Sequence, residues 1–307
     1  MRGEMTDNYQ SYRSGFVAVV GRPNVGKSTL INAILQQKIA AVSEKPQTTR
    51  LNQLGILTEN DTQIIFVDTP GIHDPVHALG QAMNTEAQAA LDDADVILWV
   101  VDGTDRPHDE DRHIGELLRG RTNVIQALNK IDLIDSPEML DKMRTKFKKM
   151  VPQAQQVMIS ALQGAGFDAL KETITKALPI GMPFYPEEQV TDIYERDIAA
   201  DLIREAALAH LHDEVPHAVA VRIDGYEERE EIGALVTATI FVERESQKGI
   251  VVGKGGSMIK QIGTMARKAI EEMSGRKVYL DLRVKVKKNW RSDPVFLQQM
   301  GYNPDKQ

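Results

Sequence analysis

Short apolar runs alternate with amphipathic segments along the first half of the chain. Runs that are rich in Val and Ile and bounded by polar residues are typical of buried strands. Such runs occur at 16–20, 64–67, 96–101, 124–128 and 157–159. Apolar residues at helical spacing occur between and after them, at 28–37, 80–91, 109–119, 138–150 and 166–177. This alternation predicts crossover connections and an α/β domain with a mostly parallel sheet.

One additional strand is predicted within this domain. The segment 51–57 reads as a strand, and the turn residues 59–61 join it to the strand that follows. A connection this short joins antiparallel neighbours. The first domain is therefore expected to contain one antiparallel strand.

The order of elements changes after a proline-rich segment. Pro179, Pro183 and Pro186 stand close together, and prolines at this density oppose both helix and central strand. We therefore place a linker there. The predicted organisation is a flexible tail at 1–14, a first domain at 15–178, a linker at 179–190 and a second domain at 191–307.

The second domain is predicted to be α+β rather than a continuation of the first sheet. A helix at 194–211 is followed by strands at 217–226 and 231–242. After a glycine-rich turn come a helix at 257–273 and a strand at 277–286. The predicted order is therefore α-β-β-α-β.

Composition narrows the classes of protein that fit. A chain of 307 residues without cysteine has no disulfide, thiolate metal site or cysteine nucleophile. No apolar run approaches the roughly 20 residues of a membrane helix, and the polar N-terminus lacks the apolar core of a signal peptide. We therefore expect a cytoplasmic protein, and we expect it to be a monomer.

The charge is unevenly distributed although the formal net charge is −7. Residues 183–243 contain 4 Lys and Arg against 15 Asp and Glu, whereas residues 244–291 contain 13 against 4. A change of sign within one predicted domain indicates a basic surface. Two solvated faces of a single domain would give the same composition.

A phosphate-binding motif, G-x-x-x-x-G-K-S, lies between the first predicted strand and the first predicted helix, which is the context that the motif requires. Its glycines let backbone N–H groups converge on phosphate oxygens at a helix N-terminus. Lys27 would reach the β- and γ-phosphates, and the Ser28 hydroxyl would bind Mg²⁺. The candidate residues are Gly21, Arg22, Pro23, Asn24, Val25, Gly26, Lys27, Ser28 and Thr29.

A second phosphate-facing motif ends the strand at 64–67. It consists of Asp68, Thr69, Pro70 and Gly71. The carboxylate suits the surroundings of Mg²⁺, and the Gly71 N–H can meet a γ-phosphate. Ras-like enzymes place a water-orienting Gln directly afterwards, but this chain has Ile72 there, so no side chain is expected to act as the catalytic base.

A third motif, at the end of the strand at 124–128, addresses the base. It contains Asn129, Lys130 and Asp132. The Asp132 carboxylate can accept two hydrogen bonds from the N1–H and 2-amino groups of guanine, a donor pair that adenine lacks. Asn129 can address the N7 edge, and the Lys130 stem can lie over the ring. Ser160 and Ala161 follow the next strand, where a backbone N–H could reach guanine O6.

Taken in this order, the motifs resemble those of the translation-factor-related GTPases. The resemblance implies a threonine that coordinates Mg²⁺ when GTP is bound, in the segment 46–50. Thr49 is favoured for this role, and Thr48 is the alternative. Asn24 resembles the asparagine that binds K⁺ in potassium-activated relatives, and holding the loop is its other expected role. Hydrolysis would then depend on the backbone, metal ions and a partner.

The second domain contains a Gly-x-x-Gly loop that opens a helix, as in KH modules, where such a loop clamps four nucleotides. Its residues are Gly253, Lys254, Gly255 and Gly256. Basic residues crowd the same segment, among them Lys260. Lys285 and Lys287 alternate with valines, so they share one face of a strand. We predict that these seven residues bind RNA, although a solvated strand face would also explain the last two.

Over nearly its whole length, the chain resembles the TrmE-Era-EngA-like GTPases, in the branch whose members carry a C-terminal KH domain of type II. The resemblance rests on the motifs above and on Trp290 with the ending Met300, Gly301 and Tyr302. It implies a slow, Mg²⁺-dependent GTPase that converts GTP to GDP. It also implies binding to small-subunit ribosomal RNA near the 3′ end and assistance to small-subunit maturation. Some members associate with the inner membrane.

Two other classes of protein fit this sequence less well. A metabolic nucleotide enzyme, such as a kinase, would need a pocket for an acceptor substrate, whereas the second domain offers a basic loop and strand. An RNA-binding module with a vestigial nucleotide fold is opposed by the complete set of nucleotide motifs. Measuring bound nucleotide, and then GTP turnover with and without ribosomal RNA, separates these classes.

Overall fold

The computed structural model describes residues 11–43, 45, 48–72, 75, 77–229 and 233–302. Most of the tail predicted at 1–14, Pro46 and Gln47 of the switch motif, and the first two residues of the strand predicted at 231–242 lie outside these residues. The chain divides into two compact units. The first comprises Met1–Gln37, Thr49–Asp74 and Met83–Asp192, and the second comprises Lys38–Thr48, Pro75–Ala82 and Ile193–Gln307.

The first unit is built on a six-stranded sheet with the order β2-β3-β1-β4-β5-β6. Its strands are β1 (Arg13–Val20), β2 (Gln53–Glu59), β3 (Thr62–Asp68), β4 (Val96–Asp102), β5 (Val124–Asn129) and β6 (Gln155–Met158). All neighbours are parallel except β2 and β3, which pair antiparallel from Gln53 opposite Asp68 to Glu59 opposite Thr62. The predicted mostly parallel sheet with one antiparallel strand is confirmed.

Helices connect the parallel strands, as the sequence pattern predicts. They are α1 (Lys27–Leu35), α2 (Ala78–Asp93), α3 (Asp109–Leu118), α4 (Pro137–Met150) and α5 (Phe167–Ala177). Strand β4 is buried along its whole length, which explains why its sequence is continuously apolar. The buried ring of Trp99 in β4 meets that of Phe147 in α4 edge to face at 6.1 Å. Truncating such a ring to alanine costs about 3–5 kcal/mol of folding stability.

The predicted linker pairs with the first unit. Backbone hydrogen bonds join Gly181 N–H to the Tyr12 carbonyl at 2.9 Å and Ile56 N–H to the Val190 carbonyl at 2.7 Å. The second of these bonds covers part of β2, the edge strand of the sheet. An edge strand presents unpaired backbone groups unless another segment covers it. The division between the units falls after Asp192, two residues beyond the predicted end of the linker.

The second unit contains a three-stranded sheet, β7-β8-β9, in which β7 and β8 are antiparallel and β8 and β9 are parallel. Its elements in chain order are α6 (Glu195–His210), β7 (Ala220–Arg229), β8 (Gly233–Val242), α7 (Glu245–Val252), α8 (Ser257–Ser274), β9 (Val278–Val286) and α9 (Pro294–Gln299). Helix α7 was absent from the predicted order, which becomes α-β-β-α-α-β. The core lies between the sheet and helices α6 and α8.

The apolar faces of this unit explain its packing. Leu202, Ala206 and other apolar residues recur along α6 and are buried against strands β7 and β8 and helix α8. Beyond β9, the indole N–H of the buried Trp290 donates to the Ala218 carbonyl at 2.8 Å. That bond joins the C-terminal segment to the helical turn, Pro216–Ala218, that precedes β7. Among the described helices, none is long and apolar enough to cross a membrane.

Candidate nucleotide site and nucleic-acid groove

The phosphate loop joins β1 to α1 at the carboxyl end of the sheet, and close backbone contacts shape it. Gly21 and Gly26 both have positive φ angles, of 154° and 99°. A Cβ atom at Gly21 would lie 2.3 Å from the Val100 carbonyl oxygen, and one at Gly26 would lie 2.4 Å from Nδ2 of Asn129. Only glycine fits either position, which is why the motif requires glycines there.

Lys27 is buried beneath the phosphate loop. Its Nζ donates to the carbonyl oxygens of Gly21 at 2.9 Å and Arg22 at 3.2 Å. The pKa of Lys27 is lowered from 10.5 to about 8, mainly by burial; the Asp68 carboxylate opposes this shift, and the Arg22 charge contributes to it. A buried cation close to the loop backbone is placed to stabilise anionic oxygens.

Three oxygen-bearing side chains from different elements meet beside this lysine. The Ser28 hydroxyl donates to Oδ2 of Asp68 at 2.6 Å, and the Thr49 hydroxyl lies 3.0 Å from Oγ of Ser28 and 3.1 Å from the same Asp68 oxygen. Thr48 instead donates its hydroxyl to the Lys45 carbonyl at 2.8 Å. Carboxylate and hydroxyl oxygens suit Mg²⁺, so these three residues fit the metal that the motifs imply.

Asn129 joins two loops rather than presenting a free amide. Its Nδ2 donates to the Val25 carbonyl at 2.8 Å, and its Oδ1 accepts from the Ala161 N–H at 2.9 Å. The Ser160 N–H bonds the Ala165 carbonyl at 3.0 Å. The amide nitrogen of Asn129 carries two N–H groups, so the bond to Val25 leaves one for guanine N7, and the assignment of Asn129, Ser160 and Ala161 to the base stays a prediction. Sequence patterns do not show which side-chain groups bond one another.

Asp132 lies just beyond Asn129, in a single helical turn, Ile131–Leu133. Its half-buried carboxylate makes no hydrogen bond or ion pair with any residue that the structure describes. Lys130 has a positive φ of 65°, and its Nζ is held by Oδ2 of Asp102 at 2.7 Å. The carboxylate of Asp132 is thus free to accept hydrogen bonds, while an ion pair fixes the end of the Lys130 side chain.

Arg22 occupies an acidic cluster that the sequence did not indicate. Its guanidinium lies 3.2 Å from Asp111, 3.7 Å from Asp102 and 3.9 Å from Asp105. Burial raises the pKa of Asp111. Burial also opposes ionisation of Asp102, but hydrogen bonds from Lys130 and Thr104 leave its pKa lowered overall. The cluster draws the Arg22 charge towards α3.

The remaining motif residues hold the loops together. The Thr69 hydroxyl donates to the Val19 carbonyl at 2.8 Å. A Cβ at Gly71 would lie 3.0 Å from the ring of Pro23, so the two phosphate motifs touch at this point. Ile72 is buried in the core, as expected for a side chain that orients no water. Three candidates remain: Asn24 is exposed with a φ of 66°, Thr29 is half-buried in α1, and Pro70 is buried.

The Gly-x-x-Gly loop of the second unit forms a tight turn between α7 and α8. Gly253 has a φ of 73°, and a Cβ there would lie 2.7 Å from the Met258 backbone nitrogen. Gly255 and Gly256 also have positive φ angles, of 62° and 80°, but no described atom lies within 4 Å of their Cβ positions. Lys254 is exposed. The loop therefore presents open backbone and one cation at the start of α8.

A cleft of about 310 Å³ runs beside this loop between α8 and β9. Its walls combine apolar and cationic side chains, Ile259, Lys260, Gly263, Thr264, Arg267, Leu280 and Leu282. Leu280 and Leu282 face α8, so alternation along β9 places Lys285 on the opposite face of the sheet. Lys287 is paired with Asp293 at 2.7 Å. The structure thus places Lys260 in the groove and Lys254 in the loop that precedes α8, but it places neither Lys285 nor Lys287 in the groove.

Comparison with known proteins places these two sites in one family. The family model described as 50S ribosome-binding GTPase matches residues 16–130, and the KH domain model matches residues 214–291. GTPase Era of Heliobacterium modesticaldum is 43% identical, over 96% of this chain and 98% of the relative. The chain belongs to the Era family of GTPases. GTPase Era of Geobacter metallireducens is 44% identical, over 97% of this chain and 100% of the relative.

Solved Era structures have the same fold. Era in complex with MgGDPNP and nucleotides 1506–1542 of 16S ribosomal RNA has a TM-score of 0.90 and 40% identity, over 95% of this chain and 99% of that one. A variant of Aquifex aeolicus Era bound to GDP and AlF₄⁻ has a TM-score of 0.90 and 39% identity, with the same coverage. Membership of the Era family confirms the predicted GTPase and KH domains and GTP hydrolysis by this chain.

Proposed function

We propose that this Era-family GTPase binds small-subunit ribosomal RNA near its 3′ end and assists maturation of the small subunit. The observation that carries the proposal is the open Gly-x-x-Gly loop and its groove, on the same chain as a complete set of guanine-nucleotide motifs. The solved Era complex with 16S ribosomal RNA nucleotides supports this RNA as the ligand.

In the first unit, we assign phosphate binding to the loop at 21–28 and to Lys27. Mg²⁺ would be held by Ser28 and Thr49, with Asp68 bonded to both hydroxyls. When bound, the metal would neutralise charge on the β- and γ-phosphates. Asp132 would select guanine through its N1–H and 2-amino groups, and the Asp102 carboxylate would keep the Lys130 stem in place over the base.

The first unit positions the reacting groups without a side-chain base. Ile72 is buried in the core, so orientation of the attacking water falls to backbone groups and bound cations. Positioning and charge stabilisation supply most of the acceleration of phosphoryl transfer. Because no side chain positions the attacking water in this arrangement, it predicts slow intrinsic hydrolysis. Asn24 remains the proposed K⁺ ligand, and equal rates of hydrolysis in K⁺ and Na⁺ would exclude that role. The monomeric state and association with a membrane stay predictions.

In the second unit, we assign RNA binding to the loop Gly253, Lys254, Gly255 and Gly256, and to the groove beside it. The open backbone would approach phosphates, with Lys254 and Lys260 providing positive charge. The apolar wall formed by Leu280 and Leu282 would contact unstacked bases. We leave Lys285 and Lys287 out of this site, because Lys285 lies on the opposite face of the sheet and Lys287 is paired with Asp293.

Binding of a single-stranded RNA with the sequence of the small-subunit 3′ end tests the proposal. Lys260→Ala should weaken binding roughly tenfold at low salt and reduce the salt slope by about one phosphate contact. Lys285→Ala removes the same charge from the opposite sheet face and is the matched control, with affinity expected within about twofold of the parent. Equal losses in the two variants would show that net charge, and not the groove, controls binding.

A further inference from the structure

Asp102 is a buried carboxylate at the carboxyl end of β4, where it is only 6% exposed. Strand β4 lies between β1, which leads into the phosphate loop, and β5, which leads into Asn129, Lys130 and Asp132. We call these three residues the base motif. A buried charge destabilises a protein unless specific partners satisfy it. The partners of Asp102 come from both of the neighbouring loops.

The base motif is bound to the end of β4 by its backbone and by a side chain. Nζ of Lys130 donates to Oδ2 of Asp102 at 2.7 Å. The Gly103 N–H donates to the Asn129 carbonyl at 2.8 Å, and a Cβ at Gly103 would lie 2.9 Å from that oxygen. The two backbones are therefore in close contact where the Lys130 side chain meets Asp102.

The phosphate loop reaches the same carboxylate oxygen through Arg22. A guanidinium nitrogen of Arg22 lies 3.7 Å from Oδ2 of Asp102, and its Nε lies 3.2 Å from Oδ2 of Asp111. Asp111 is fully buried in the first turn of α3, where it accepts from the His108 N–H at 3.0 Å. The Arg22 side chain is thus held between β4 and α3.

Arg22 also shapes the phosphate loop through its backbone. Its carbonyl oxygen accepts from Nζ of Lys27 at 3.2 Å, and the same nitrogen donates to the Gly21 carbonyl at 2.9 Å. Because Asp102 and Asp111 fix the Arg22 side chain, they limit the positions that its carbonyl can take. The geometry of the loop around Lys27 therefore depends on Asp102.

The other oxygen of Asp102 fixes the orientation of the carboxylate. Oδ1 accepts from the Thr104 N–H at 3.0 Å and from the Thr104 hydroxyl at 2.6 Å. Burial raises the pKa of Asp102, but hydrogen bonds from Lys130 and Thr104 outweigh burial and leave the pKa lowered. The carboxylate therefore stays charged at neutral pH, and Oδ2 faces one cation from each loop.

We propose that Asp102 is a positioning residue that couples the phosphate loop to the base motif, because one of its oxygens binds a cation from each. The proposal rests on the proposed function, in which Lys27 contacts the phosphates and the Lys130 stem covers the base. The two ends of the nucleotide are then recognised cooperatively, since ordering one loop fixes the carboxylate that orders the other.

The full-length Asp102→Asn variant is the first test. Asparagine keeps the shape of the side chain and an acceptor for Thr104, but it removes the charge that both cations bind. We expect the affinities for GDP and for a non-hydrolysable GTP analogue, measured with Mg²⁺, to fall roughly tenfold each. Unchanged affinities in a folded Asp102→Asn protein would overturn the proposal.

Asp95→Asn is the matched control for this variant. It removes the same charge from the residue directly before β4, where Oδ2 accepts from the Phe16 N–H at 2.8 Å. Its affinities for both nucleotides should stay within about twofold of the parent. An equal loss in the two variants would show that any carboxylate beside β4 matters, and the proposal would fail.

A double-mutant cycle separates coupling from a general loss of stability. Arg22→Met and Lys130→Met each remove one cation, and the second keeps an apolar stem. In the parent, we expect their combined effect on GDP affinity to differ at least about threefold from the product of the single effects. In the Asp102→Asn protein, the two effects should combine independently. Independent effects in the parent, or the same coupling in both proteins, would contradict the role of Asp102.

Thr104→Val replaces Asp102→Asn in this cycle if Asp102→Asn does not fold. It removes the hydroxyl that orients Oδ1 and leaves the charge of Asp102 in place. The coupling between Arg22 and Lys130 should then be smaller than in the parent. Equal coupling in the two proteins would overturn the proposal.

The base site is tested separately with Asp132→Asn. This substitution should favour XDP relative to GDP, because the asparagine amide can donate to the 2-oxo group of xanthine. An unchanged ratio of the two affinities would remove the base site, and the proposal with it. A shifted ratio, with independent effects of Arg22→Met and Lys130→Met, would overturn the coupling alone.

Discussion

Lys27 holds its charge where water has little access, and nucleotide phosphates would provide the missing counter-charge. In the protein alone, burial brings the pKa of Lys27 to about 8, so the side chain is largely neutral above that pH. A bound triphosphate favours the charged form and would raise the pKa again. Nucleotide binding should therefore take up a proton at alkaline pH.

The expected uptake by Lys27 is about 0.8 proton at pH 8.5 and about 0.1 at pH 7. GTP affinity should accordingly fall as the pH rises through 8. Titration calorimetry in two buffers of different ionisation enthalpy measures this uptake. Lys27→Arg is the matched control, since a guanidinium does not lose its proton. Equal uptake at the two pH values in the parent would contradict the lowered pKa.

The same shift affects folding stability in a defined direction. Between about pH 8 and pH 10.5, the unfolded chain binds the Lys27 proton and the folded chain does not. This group's contribution to the free energy of unfolding therefore increases with pH across that window. Below pH 8 its contribution is constant and unfavourable, and bound nucleotide offsets it.

Ile72 provides a second test at the level of one residue. The Ile72→Gln variant supplies the side chain that Ras-like enzymes use, but it supplies it in a buried position. We expect the free energy of unfolding to fall by about 2–4 kcal/mol, because an amide replaces a well-packed aliphatic group. The rate of hydrolysis should not increase. Ile72→Val, which costs about 1 kcal/mol, is the control. A hundredfold gain in kcat would show that the side chain can turn towards the phosphates.

At the level of elements, sequence periodicity was informative where one face of a strand or helix is uniformly apolar. The five strands formed by the apolar runs and the antiparallel hairpin of the first sheet follow from such patterns, although β6 is buried only at Val157. Helix α7 does not follow from such a pattern, since only Gln247 and Val251 of its eight residues are buried. Gly249, within the helix, also lowers its helix propensity. Its weak apolar face left a glycine-rich turn as the simpler interpretation.

The sequence predicted the candidate sites only in part as well. Motif spacing predicted Ser28 and Asp68 correctly as neighbours, because Asp68 ends β3 and Ser28 begins the helix that follows β1, the adjacent parallel strand. It did not predict that the Asn129 amide bonds two loops, or that Arg204 reaches Thr48, since these contacts join residues far apart in sequence. Alternation along β9 placed Lys285 and Lys287 on a common face, but the pattern did not show which face the groove occupies.

Replacing a glycine by alanine should have opposite effects on stability at Gly253, in the Gly-x-x-Gly turn, and at Gly249, in the helix before it. Gly253→Ala places a Cβ 2.7 Å from the Met258 backbone at a positive φ, so the turn must shift. We expect a loss of about 2 kcal/mol or more in stability, together with weaker RNA binding. Gly249→Ala lies inside α7 with no described atom within 4 Å, and it should stabilise the helix by about 0.5–1 kcal/mol. Urea unfolding of both variants measures the difference, and equal effects would contradict the described turn.

At the level of the whole molecule, each of the two units is built from several separate segments of the chain. The nucleotide motifs other than residues 46–48 belong to the first unit, but residues 38–48 and 75–82 are grouped with the second. A single excursion of the chain thus carries the residue before Thr49 onto the KH-domain helix α6. The uneven charge does not follow this division, since both the basic residues 244–291 and most of the acidic stretch 183–243 fall within the second unit.

The linker makes hydrogen bonds to the first unit, so removing the linker should destabilise that unit. A fragment ending at 178 loses the backbone bonds from Pro179, Gly181 and Val190. It also removes Phe184 and Tyr185, whose backbone groups bond the amide of the fully buried Gln63. At about 1 kcal/mol for each hydrogen bond, with a further penalty for the stranded amide, the loss should be several kcal/mol.

A fragment of residues 11–192 keeps all of these bonds and the motifs for phosphate and guanine. It should fold, bind GDP with nearly the affinity of the full chain, and melt well above the fragment of residues 11–178. Circular dichroism and nucleotide titrations of the two fragments measure both effects. Equal melting temperatures would mean that the linker contributes nothing to the stability of the first unit.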